Sequence, residues 1–100
     1  MIRHVVMWKF KESAEGKNKY ENMEIVRDSL YSLTSRISAI KKMEIGFDIS
    51  KTNASMDMLL LTEFDSVEDL KTYATDPEHL RVGEYIKKVV DTRVVHDCEI

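Results

Sequence analysis

One hundred residues, 43% apolar and 33% charged with a formal net charge of −3, fit one small soluble domain and exclude a disordered chain. Basic residues are scattered, with short pairs only at Lys41-Lys42 and Lys87-Lys88, so no basic face marks a nucleic-acid binder. No apolar run approaches the ~20 residues of a membrane span, and the single cysteine, Cys98, forbids an intrachain disulfide.

The chain begins Met-Ile-Arg-His-Val-Val, without a basic leader or a long apolar segment, so a cytoplasmic location is expected. Residues 2–10 alternate. Ile2, His4, Val6, Trp8 and Phe10 share one face, and Arg3, Val5, Met7 and Lys9 share the other. Both faces are apolar at the centre, so both need cover.

A polar connection over residues 12–16 leads to a predicted helix from Lys17 to Ser35. Tyr20, Met23, Val26, Leu30 and Leu33 recur three and four apart and form its apolar stripe. A second strand is predicted over 39–49, where Met43, Ile45, Phe47 and Ile49 alternate with polar residues. Gly46 inside it suggests a bulge or a close backbone approach. After a polar loop at 50–56, residues 57–64 form a third strand.

Ser66-Val67-Glu68-Asp69 has the spacing of a capping box and opens a short helix with Val67, Leu70, Tyr73 and Ala74 on one face. Asp76-Pro77 ends that helix and starts another, because aspartate caps well and proline fits the first helical position. The new helix runs to about Val89 and turns His79, Val82, Gly83, Ile86, Val89 and Val90 inward. A fourth strand, 92–99, closes the chain.

The order β-α-β-β-α-β, with short connections and right-handed crossovers, predicts one domain over 1–100 with an α+β, ferredoxin-like fold. A four-stranded antiparallel sheet then carries both helical regions on one face. Val5, Met7, Leu59 and Leu61 leave the other face apolar. An uncovered apolar sheet predicts a two-fold homodimer through that open face.

The chain resembles the stress-responsive A/B barrel (Dabb) family of dimeric α+β barrels over essentially its whole length. The resemblance rests on Arg-His-Val-Val-Met-Trp-Lys-Phe-Lys at 3–11, Phe64-Asp65-Ser66-Val67-Glu68-Asp69-Leu70, Tyr73 followed by Asp76-Pro77-Glu78-His79, and Val95-His96-Asp97. One plant branch of that family contains a polyketide cyclase, olivetolic acid cyclase, which performs a cofactor-independent aldol condensation. Its tyrosine–histidine pair has the spacing of Tyr73 and His79, and a further histidine matches His4.

The resemblance therefore implies a catalytic pair, His79 and Tyr73. It also implies a ligand pocket between sheet and helices that includes His4, Val6, Trp8, Leu60 and Thr62. Two departures bear on that pocket. The first helix offers Val26, Arg27 and Leu30 where the cyclase has aromatics, and Trp8 replaces a smaller aliphatic residue.

Chemically, His79 suits a general base near neutral pH, and Tyr73 suits a donor to an enolate or carbonyl oxygen. The competing reading makes His79 a helix-corner histidine and Tyr73 a core aromatic whose hydroxyl it satisfies. His4 reads as a ligand-orienting or a structural hydrogen bonder. No ligand spacing supports a metal at His96 and Cys98, and no cofactor is expected. The functional expectation is a small-molecule-binding barrel that acts as a cofactor-independent cyclase or lyase on a polyketide-like carbonyl compound. The alternatives are a non-catalytic stress-associated oligomer and a cofactor-independent monooxygenase.

Overall fold

The structure is a computed structural model that describes all residues from Met1 to Ile100. Strand β1 (Ile2–Phe10) buries Val6, Trp8 and Phe10 on the face expected from the alternation. A short hairpin follows, β2 (Ser13–Ala14) and β3 (Lys17–Asn18), where a plain connection was expected. Its tip holds Glu15 and Gly16 at positive φ, 53° and 74°. Gly16 is suited to that conformation because it has no Cβ.

Helix α1 (Lys19–Ser32) starts two residues later than its periodicity implied, because the hairpin claims Lys17 and Asn18. Asn18 and Glu21 form a reciprocal capping box. Met23, Val26, Leu30 and Leu33 are buried as expected, but Tyr20 is 57% exposed and packs edge-on against Phe47. A 3₁₀ turn, Leu33–Ser35, ends the helix and carries the chain to buried Ile37.

Strand β4 is only Lys42–Phe47, shorter than expected. Ile49 lies beyond it and is 92% exposed. Gly46 makes no bulge, since its strand keeps unbroken register with β5 (Met58–Phe64). A Cβ at Gly46 would meet nothing within 4 Å. Helix α2 (Val67–Thr75) is capped by Ser66, whose hydroxyl accepts from the Asp69 amide. Tyr73 is its one fully buried residue, and Val67 is exposed. Asp76 ends α2 and caps α3 (Pro77–Val89) with a carboxylate that accepts from the Glu78 amide at 2.8 Å. Strand β6 (Val90–Glu99) begins with no intervening loop.

The sheet order is β4-β5-β1-β6, with antiparallel pairing throughout. Strand β1 therefore crosses over to β4, and β5 crosses over to β6, so this is the ferredoxin-like α+β fold. The helices cover the face of Val6, Trp8, Leu60 and Thr62. The other face presents Val5, Met7, Leu59 and Leu61, in register with Val94 and His96 of β6. Helix α3 is tied to α1 by the Tyr85 hydroxyl, which donates to Asn22 Oδ1 at 2.6 Å, and Asn22 in turn donates to the Ala14 carbonyl at 3.0 Å. A buried asparagine thus has its polar atoms satisfied, as burial demands. No helix is long and apolar enough to cross a membrane.

Candidate active site

The corner at Asp76-Pro77 places Tyr73, at the end of α2, against His79, in the first turn of α3. Their ring centroids are 4.3 Å apart and tilted by 49°. Phe64 packs on the other side of Tyr73 at 5.1 Å, and His4 meets its edge at 6.4 Å. Tyr73 is 1% exposed, and its hydroxyl has no hydrogen-bond partner. This corrects the competing reading in which His79 satisfies that hydroxyl: the rings meet at a tilt, the hydroxyl has no partner, and His79 bonds to the Ala74 carbonyl.

His79 Nδ1 lies 3.2 Å from the Ala74 carbonyl. A carbonyl only accepts, so Nδ1 carries the proton and Nε2 keeps its basic lone pair. Burial pushes His79 below its ordinary value of 6.5. The bond to Ala74 opposes that, while the charges of His4 and Arg93 add to it. Burial pushes Tyr73 the other way, up to about 12, with Arg93 partly opposing. At neutral pH the pair is a neutral base beside a protonated phenol, set by loss of water rather than by a charged partner.

Both residues border a cavity of ≈ 250 Å³ between the sheet and α3. Val6, Trp8 and Leu60 form its sheet side; Leu30, Gly83 and Ile86 line it from the helices; Arg93 and Lys87 stand among its polar residues. Trp8 borders this space without filling it. The Trp8 indole Nε1 is also buried without a partner, so two hydrogen-bond donors remain unsatisfied beside one free base.

Of the residues singled out from sequence, the structure brings together His79, Tyr73, Val6, Trp8 and Leu60. His4 and Thr62 are not on the cavity wall. Thr62 is fully buried and donates to the His4 carbonyl at 3.2 Å. His4 Nδ1 pairs with the Asp97 carboxylate across the β1–β6 ladder. Gly83 and Arg93 were missed. Helical phase already turned Gly83 inward, but Arg93 needed the register opposite Trp8. The larger hollow, ≈ 560 Å³, is a broad depression on the uncovered side, bordered by Met7, Gly46, Leu59 and Val94, and holds no acid–base group near His79. No cluster of three His, Cys, Asp or Glu side chains that could hold a metal is present.

The sequence profile of the Stress responsive A/B Barrel Domain matches residues 2–100. The chain belongs to the stress-responsive A/B barrel family. No curated protein matches it in sequence. Among solved structures, this A/B barrel is similar to a dimeric, ferredoxin-like protein of unknown function from Bacteroides fragilis. The two share 28% identity at a TM-score of 0.87, over 99% of this chain and 95% of that one. A dimeric ferredoxin-like protein of unknown function from Thermobifida fusca has 19% identity and a TM-score of 0.83, over 99% and 90% of the two chains. A hydroxynitrile lyase from Passiflora edulis has 17% identity and a TM-score of 0.85, over 99% and 92%. At these last two identities the likeness shows the A/B barrel fold alone.

Proposed function

We propose that this A/B barrel is a homodimer that binds a small carbonyl compound and catalyses cofactor-independent carbon–carbon bond chemistry of the cyclase or lyase type. His79 is the base, and Tyr73 donates a hydrogen bond to the oxygen that gains charge. One observation carries the reading: a half-buried, neutral imidazole and a tyrosine whose buried hydroxyl has no partner line the same partly open cavity. An orphaned buried hydroxyl costs roughly 1–3 kcal/mol, and a ligand oxygen that accepts from it removes that cost.

In the cyclase direction His79 Nε2 takes a proton from a carbon next to a carbonyl. The resulting enolate oxygen accepts from Tyr73 and from the Trp8 indole N–H. The enolate carbon attacks a second carbonyl, a carbon–carbon bond forms, and the new alkoxide takes the proton back from His79. No electron is gained or lost, so no redox cofactor enters. The lyase direction is the reverse. The Passiflora edulis neighbour, a hydroxynitrile lyase, supports this class, because cyanohydrin cleavage also removes a hydroxyl proton as a carbon–carbon bond breaks.

A cavity of ≈ 250 Å³ lies just under the ~300–1,000 Å³ of drug-sized sites. The substrate is therefore compact, such as a short β-polyketo chain. Dimerisation through the open sheet face covers Val5, Met7, Leu59 and Leu61, and the dimeric state of the similar structures supports it. The test is a screen of short β-polyketo compounds and cyanohydrins. His79→Ala and Tyr73→Phe in folded, dimeric protein are expected to remove any turnover found. Turnover that survives both substitutions would eliminate the mechanism.

A further inference from the structure

Arg93 lies on the helix-facing side of β6, opposite Trp8 in the β1–β6 ladder. It borders the same cavity as Tyr73 and His79. No carboxylate of the chain lies within ion-pair distance of it. The acids on its own strand face are engaged or lie elsewhere. Asp97 pairs with His4, and Asp91 borders a separate polar cleft beside Lys9 and Lys19. Glu84, at the cavity's edge, is 3.7 Å from Lys87 and offsets that charge. The open rim of the cavity therefore keeps one unpaired cation, on an exposed side chain.

We propose that Arg93 is the substrate-recognition residue of this cavity, and that the substrate is a compact carbonyl compound bearing a carboxylate. The inference rests on the reading of the cavity as a site of carbonyl chemistry. Two buried donors beside the cavity lack partners, the Trp8 indole N–H and the Tyr73 hydroxyl, and the exposed Arg93 guanidinium adds a third donor group that no carboxylate engages. A fitting occupant must supply acceptors at two places. The planar guanidinium fork matches a carboxylate with two parallel hydrogen bonds. A ketone oxygen elsewhere on the same molecule suits the two neutral donors. Arg93 shares the lining of this cavity with Tyr73 and His79.

The chain has one tryptophan, and Trp8 borders the cavity, so its fluorescence reports occupancy without any turnover. The experiment titrates the protein with levulinate, a stable keto acid, and with its uncharged methyl ester. Levulinate is expected to bind about tenfold tighter, as a charge-assisted hydrogen bond implies. Arg93→Gln is expected to erase that preference. Arg93→Lys should restore part of it, since lysine keeps the charge and loses the fork.

Equal binding of acid and ester would overturn the proposal. So would a flat Trp8 signal with both, a preference that survives Arg93→Gln, or inorganic phosphate competing as well as levulinate. The two readings fail separately. An Arg93-dependent preference in a protein that turns over no carbonyl compound removes the catalysis and leaves Arg93 as an anion-binding residue. His79-dependent turnover without the preference removes the role of Arg93 alone.

Discussion

Burial takes water from both His79 and Tyr73, and the two side chains respond in opposite directions. The imidazole loses affinity for its proton and the phenol holds its proton more tightly. Activity that needs neutral His79 is therefore lost in acid and complete above the ordinary histidine range. It shows no alkaline limb until Tyr73 ionises near pH 12. A pH–rate profile checks this, and a descending limb between pH 8 and 10 would contradict it. The same shift acts on stability. His79 binds its proton more weakly in the folded chain than in the unfolded one, so its contribution is full above pH 6.5 and lost as pH falls through the folded value. Tyr73→Phe separates chemistry from packing. Deleting an unpaired buried hydroxyl should leave stability unchanged or raise it by about 1 kcal/mol, while turnover falls by about 10²-fold or more. Chemical denaturation beside a rate measurement distinguishes this from a structural role, where both would fall together. The sequence made these two residues visible through helical phase on either side of one proline. It could not show that the rings pack at a tilt instead of bonding, because that depends on the angle between α2 and α3. Nor could it show that His4 turns to Asp97, because that pairing depends on register across two strands 93 residues apart in the chain.

Among the elements, α3 is the one that positions the site, and its two ends are fixed by different devices. Asp76 caps its first turn and Pro77 occupies the first helical position. Asp76→Ala should cost about 1 kcal/mol of stability and loosen His79 more than Tyr73. Gly83 sits in the same helix, where a Cβ would meet nothing within 4 Å, and it borders the cavity. Gly83→Ala is expected to stabilise the protein by about 0.5–1 kcal/mol and to weaken ligand binding, because the new methyl takes up cavity space. Thermal melts and Trp8 titrations measure the two effects. The periodicities of β1, β5 and α3 were strong enough to be legible from residues alone. That of the 12–18 region was not, and the alternation over 39–49 holds only from Lys42 to Phe47. The hairpin at Ser13–Asn18 has no apolar alternation to announce it, and backbone pairing alone makes it. Ile49 completed a tempting alternation, but β4 ends at Phe47 where the chain turns into the loop before β5, and an isolated isoleucine in a turn finds nothing to pack against.

At the scale of the whole molecule, one side of the sheet is finished and the other is not. Core residues such as Val26, Leu33, Phe64 and Val89 are fully buried under the helices, while Val94 on the opposite face stays 39% exposed. Dimerisation through that face is expected to make the melting temperature depend on protein concentration. Leu61→Lys should shift sedimentation toward monomer. A concentration-independent monomer in the unsubstituted protein would refute the interface. The proton transfer can be tested without knowing the natural substrate: His79 in the intact protein should remove a proton from carbon beside a carbonyl. Exchange of the α-hydrogens of a small keto acid for deuterium, followed by NMR in D₂O, measures that step directly. Exchange is expected to be accelerated by the native protein, abolished in His79→Ala and strongly slowed in Tyr73→Phe. Exchange no faster than in buffer, or equally fast in folded His79→Ala, would contradict it.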